Sequence, residues 1–89
     1  MQAVISVVGK DKVGILKDVA TCCAQHNVNI IDVSQTVLRD MFTMIMLVDI
    51  SDISIKFGDF SEKMSKYGQE IGMEIRAMHE DIFNSMHRI

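Results

Sequence analysis

The chain has 89 residues, 48% apolar and 24% charged, with two cysteines and no proline. That size and balance describe a single folded domain whose small core a second subunit would help to cover, so a homo-oligomer is expected, most simply a homodimer. A net charge of -3 gives no basic field for phosphates, and no apolar run approaches the roughly 18 residues of a membrane span, which argues against both nucleic acid and membrane as partners.

Residues 2–8 form a β-branched run that predicts a first strand, beginning so soon after Met1 that no room is left for a secretory leader. Residues 13–26 have helical periodicity, with Ile15, Leu16, Val19, Ala20, Cys22 and Cys23 on one broad stripe and Lys17, Asp18, Thr21 and Gln25 left for water. Adjacent helical side chains diverge by about 100°, so Cys22 and Cys23 cannot readily bridge each other. They read as buried thiols in a reducing compartment, and the expected location is cytoplasmic. After the turn-like Asn27, residues 28–38 return to strand character, Arg39 and Asp40 make a short turn, and residues 41–50 form a third strand. Residues 53–71 predict a second helix, with a loop as the alternative for its first turn. Ile53, Phe57, Phe60, Met64, Tyr67 and Ile71 recur at steps of three and four, and Gly72 ends the run. Residues 73–78 complete a strand, helix, strand, strand, helix, strand series.

Strands that are apolar on both faces belong at the centre of a sheet. The first strand places Ala3, Ile5 and Val7 against Val4 and Val8, and the third places Phe42, Met44, Met46 and Val48 against Ile45 and Leu47. The second strand alternates Ile31, Val33 and Val37 with Asp32, Ser34 and Thr36, and the fourth alternates Met73, Ile75 and Ala77 with Glu74 and Arg76. These two read as edges. The expected fold is therefore α+β: a ferredoxin-like βαββαβ sandwich with antiparallel sheet order 2-3-1-4 and two helices on one face. Residues 1–78 make the domain and residues 79–89 a tail in which Ile82, Phe83, Met86 and Ile89 lie at helical spacing. A short C-terminal helix is expected there, covering the open sheet face of its own chain or of a partner.

Gly14 falls just inside the predicted opening turn of the first helix, where glycine costs about 1 kcal/mol relative to alanine. Two readings follow. The first helical N–H groups lack intrahelical acceptors and favour an anion, so Gly14 would let a carboxylate approach while Asp11 attracts an ammonium. Alternatively, Asp11 is only an N-cap and Gly14 only lets the helix pass close to a strand.

The stretch VVGKDKVGILKDVATCCAQHNVNIIDVSQ resembles the start of an ACT domain. Its most specific parts are GKDKVGIL at 9–16, NVNIIDVSQ at 27–35 and FTMIMLVDI at 42–50, and the resemblance extends over nearly the whole chain. With its IFNSM tail at 82–86, the chain is similar to small stand-alone bacterial and archaeal ACT proteins, and its loop is similar to those of formyltetrahydrofolate deformylases and glycine-cleavage regulators. The resemblance implies a regulatory module that binds an amino acid where two ACT domains meet. Carried onto this sequence, it implies a ligand held by Asp11, Lys12, Val13, Gly14 and Ile15 after the first strand, with Asn29, Ile30 and Ile31 at the head of the second. Gly14 matches the family glycine and Asn29 its asparagine; Gly9 departs from the pattern, since some amino-acid binders have a polar side chain there.

No catalytic residues, cofactor or metal are expected. The cysteines lack metal-ligand spacing, and His26, His79 and His87 form no paired motif. Met44, Met46, Met64 and Met73 fall in core stripes, and Glu62, Lys63 and Lys66 in a solvated helix face. The expected function is a non-catalytic sensor of an amino acid or similar zwitterion at a homodimer interface, passing its state to a partner enzyme or regulator. The alternative is a dimerisation or interaction module with no small ligand.

Overall fold

The computed structural model describes residues 1–10 and 14–86. The elements run β1 (Gln2–Lys10), α1 (Ile15–Gln25), β2 (Asn29–Leu38), β3 (Met41–Asp49), α2 (Phe57–Ile71), β4 (Glu74–His79) and α3 (Glu80–Met86). The strands form one antiparallel sheet in the order β2-β3-β1-β4, the predicted ferredoxin-like arrangement. The two strands that are apolar on both faces take the centre, although on the face away from the helices Val8 and Ile45 remain 36% and 38% exposed. Ile5 stands opposite Met46 and Ala77, and Val7 opposite Met44 and Ile75.

One face of the sheet holds the core. Ala3, Ile5 and Val7 of β1 and Phe42, Met44, Met46 and Val48 of β3 are buried with Val19 and Cys23 of α1 and Phe60 and Met64 of α2. All four expected core methionines lie inside, where unbranched thioethers fill the gaps between β-branched neighbours. Leu16 departs from the expected stripe of α1, being 37% exposed.

Helix boundaries differ from the sequence pattern at two places. Gly14 is the N-cap of α1 with φ of 85°, a left-handed conformation that glycine adopts without steric cost. A side chain there would meet nothing within 4 Å, so close passage of the helix over a strand is not the reason for the glycine. The second helix begins at Phe57, with the loop alternative holding for the residues before it: Lys56 is extended at φ of -62° and ψ of 140°, the opening helical bond runs from Phe60 N–H to Lys56 O at 3.1 Å, and Ile53 N–H turns back to Ile50 O at 3.2 Å. Ile53 and Ile55 still pack against the core.

Both long helices end with a left-handed residue. Asn27, at φ of 58°, follows α1, with Asn27 N–H on Ala24 O and Val28 N–H on Cys23 O; Gly72, at φ of 74°, does the same after α2, with Met73 N–H on Gly68 O. These paired bonds satisfy the last carbonyls of each helix and turn the chain straight into the next strand.

The two sheet edges are unlike. Along β4, Ser61 and Ser65 of α2 donate from their hydroxyls to Ala77 O at 3.0 Å and Ile75 O at 3.4 Å. Gly68, one turn on, lies so close that a Cβ built there would be 2.6 Å from Met73 O. At the other end of the sheet β2 has no strand beyond it. Among its described residues the one side-chain cap on its backbone is Asp32, whose carboxylate accepts from Val33 N–H at 2.9 Å beside a bulge between Ile30 and Asp32.

On the face away from α1 and α2, Val4 is only 4% exposed, and α3, none of whose described residues is buried, lies beside β1 and β4 of its own chain. That places the tail helix in cis; His87 and Ile89 lie outside the described residues.

Replacing Gly68 with alanine forces α2 away from the β4 backbone, at an expected cost of about 1–3 kcal/mol. Gly58→Ala, in open space on the same helix, is expected to be neutral or to stabilise by up to about 1 kcal/mol. Urea unfolding of both variants checks the contrast.

Candidate functional site

The sequence places Gly14 and Ile15 in one half of a ligand site and Asn29, Ile30 and Ile31 in the other. In a single chain these halves are far apart. Asn29 stands opposite Asp49, which stands opposite Gln2, whereas Gly14 lies just past Lys10 at the other end of β1. Gly14 and Asn29 flank α1, whose 11 residues span roughly 16 Å at 1.5 Å each.

At the first end, Asp18 N–H makes the opening bond of α1, to Gly14 O at 3.0 Å. The N–H groups before it in the helix have no intrahelical acceptor and give that end partial positive charge. Ile15 is buried in the core, so it can meet a ligand only through its backbone. Asp11, Lys12 and Val13 lie outside the described residues. The expectation that Asp11 caps the helix is corrected in one respect: the N-cap position belongs to Gly14, which has no side chain to close the turn. Asp18, in the first turn, is not free, because the Tyr67 hydroxyl donates to its Oδ2 at 2.7 Å. This bond ties α1 to α2 and, by favouring the neutral phenol, pushes the Tyr67 pKa up to about 12.

At the second end, Ala24, Asn27, Val28, Asn29 and Asp52 line an open hollow of about 570 Å³. Ile30 packs against the core from the edge of the sheet, while Ile31 is 46% exposed at the bulge. Asp52 had no signal in the sequence: it stands 23 residues after Asn29, and only the return of β3 to the same end of the sheet brings the two together.

The residues set aside in the sequence are occupied structurally. Cys23 is fully buried, and burial pushes its thiol up to about 12; burial also raises Cys22, against a weaker opposing pull from Lys63. His26 closes α1 edge-on to Phe60, and His79 stacks at 4.4 Å on Phe57. Among the described residues no group of histidine, cysteine, aspartate and glutamate is placed to hold a metal ion, and no helix is long and apolar enough to cross a membrane.

A four-stranded antiparallel sheet with two helices on one face and a glycine-opened helix start at its end defines the class, and the comparisons agree. The ACT-domain family model matches residues 1–78. A UPF0237 protein of Methanococcus maripaludis is 52% identical over 97% of this chain and 96% of its own length. Among solved structures, an ACT domain protein from Streptococcus pneumoniae superposes with a TM-score of 0.80 at 40% identity, covering 93% of each chain. A putative glycine cleavage system transcriptional repressor matches with a TM-score of 0.70 at 26% identity, over 85% of this chain and 43% of that one. The chain belongs to the ACT-domain family, whose members are regulatory modules that bind small ligands.

The chain's single tyrosine makes the helix tie directly measurable. Absorbance titration at alkaline pH is expected to ionise Tyr67 near 12 in the folded protein, and Asp18→Ala to bring it back toward the ordinary value of 10. Because folding raises this pKa, the associated stability is present below pH 10 and is lost as pH climbs through about 12. Thiol alkylation at pH 8 is expected to modify the half-buried Cys22 while sparing Cys23 until the chain unfolds.

Proposed function

We propose that this chain is a non-catalytic regulatory module in which two copies join along β2 and enclose an amino acid or similar small zwitterion, and that a partner enzyme or regulator reads the occupied state. The observation that supports this reading is the separation of the two half-sites. One chain cannot bring Gly14 and Asn29 to the same ligand, but a twofold axis that lays β2 antiparallel along a second β2 brings the head of one strand to the hairpin end of the other. The β4 edge is occupied by α2 hydroxyls, whereas β2 has no strand beyond it and exposes Val37 and Leu38. α1 packs beside β2 and carries partial positive charge at its N-terminal end. The likeness to a glycine cleavage repressor, a regulator by its title, agrees with a sensing role.

A second reading, an interaction module without a small ligand, draws on α3, where Ile82 and Met86 are 53% and 60% exposed one turn apart. Recovery from native lysate of a stoichiometric partner that Asn29→Ala leaves bound would favour it.

Thermal-shift screening against the twenty standard amino acids at millimolar concentration, with sedimentation velocity, tests the first reading. A dimer is expected, with at least one amino acid raising Tm; occupancy at a hundredfold excess over Kd adds about 2.7 kcal/mol. Asn29→Ala is expected to weaken that binding about tenfold. A monomer that no amino acid stabilises overturns the proposal.

A further inference from the structure

The face of the sheet away from α1 and α2 is apolar and largely bare. Strand register sets Leu38 beside Met41, Thr43 beside Val8 and Ile45 beside Ser6 on it. α3 lies beside β1 and β4, yet Met41 and Leu38 are 47% and 74% exposed, and Val8 and Ile45 are exposed as well. Between these apolar groups stand only short hydroxyl side chains, so the strip along β3 is flat and continuous, of the kind against which a second sheet packs at about 10 Å. Single exposed apolar residues need no explanation, but a contiguous patch marks a contact surface.

Charge shows what covers it. Lys10 and Arg39 lie at the hairpin end of the face, where Leu38 and Lys10 both stand opposite Met41. Asp32, opposite Leu47, lies toward the other end, and Glu80 and Asp81 follow His79 at that same end. Among the described residues none of these five charges has an ion pair, whereas Glu74 and Arg76 at the β4 edge neutralise each other. A face that is positive at one end and negative at the other is complementary to itself when reversed.

We infer that this open sheet face is a contact surface for a second copy of the chain, packed face to face with its strands reversed. A twofold axis crossing the strands lays Arg39 of one copy over Asp32 of the other, with Thr43 and Ile45, midway along β3, beside the axis. Four strands about 4.8 Å apart and nine residues long at about 3.3 Å each give a face of about 20 by 30 Å. Two copies then bury about 1,200 Å² between them, just past the roughly 1,000 Å² that a specific interface needs. The contact is accordingly weak and depends on concentration. It uses the face and leaves the β2 edge free, so it is independent of the pairing proposed above and joins two such pairs into a tetramer.

The test is sedimentation velocity of the full chain from about 10 μM to about 1 mM, the span in which a contact of this size associates. At low salt the dimer is expected to grow into a tetramer with concentration, and high salt is expected to hold it back. Ile45→Lys is expected to weaken this step at least tenfold with Tm unchanged. Arg39→Asp is expected to weaken it too, and to serve as the probe if circular dichroism shows Ile45→Lys misfolded. Arg39→Asp combined with Asp32→Arg reverses both ends and is expected to restore it. A mass that stays constant across the range, or association that a folded Ile45→Lys leaves unaltered, overturns the inference. Loss in Ile45→Lys without recovery in the double variant overturns the reversed alignment. A wild-type chain that does not self-associate through this face, but holds a different protein that Ile45→Lys releases, overturns the second copy in favour of that partner. A monomer that becomes a dimer, and only with Ile45 intact, supports the face contact and overturns the pairing along β2.

Discussion

The approach of α2 to the β4 backbone governs much of this molecule. Gly68 lets the helix come to contact distance of Met73 O, and two serines on the same face satisfy carbonyls that would otherwise face water or a foreign strand. An unpaired strand edge is a template for pairing, and most small sheets have two. Here α2 engages one of them through two hydroxyls, whereas β2 has only the Asp32 carboxylate on its own Val33 N–H. The same contact fixes the position of α2 over β1 and β4, and with it the places of Phe60 and Met64 in the core.

The order of strands was readable because it depends on a property each strand displays alone. Two-sided apolarity in residues 2–8 and 41–50 demands central positions, and the one-sided alternation around Asp32 and Glu74 suits edges. Helix limits were less readable because an apolar residue can reach the core from a loop as well as from a helix. Ile53 is spaced as though helical, but it packs against the core from the turn before Lys56, whose extended backbone starts the helix later. Gly14 was recognisable as unusual, yet its reason, a left-handed N-cap with open space around it, is a backbone fact that spacing does not encode.

The candidate site divides in the same way. Gly14 was found through its place in the opening turn of a helix and Asn29 through its resemblance to a family pattern, and neither signal reveals that the two flank the whole length of α1. Asp52 escaped notice altogether. An isolated aspartate in a turn has no periodic signature, and its relevance arises only when β2 and β3 bring Asn29 and Asp52 to one hollow. Long-range juxtaposition is a product of topology, and a motif read along the chain does not display it. The polarity of α1 connects these observations: Gly14 stands at its partially positive end and Asn29 just beyond its partially negative one.

The interior has a chemical liability that follows from its packing. Met44, Met46 and Met64 are wholly shielded and Met73 nearly so. Peroxide can reach these sulfurs only when the sheet and helices part, so sulfoxide formation at these positions would record how often the whole domain opens. Each oxidised thioether would then bring a polar S=O group into a space that offers it no partner, so damage once begun would make further opening easier.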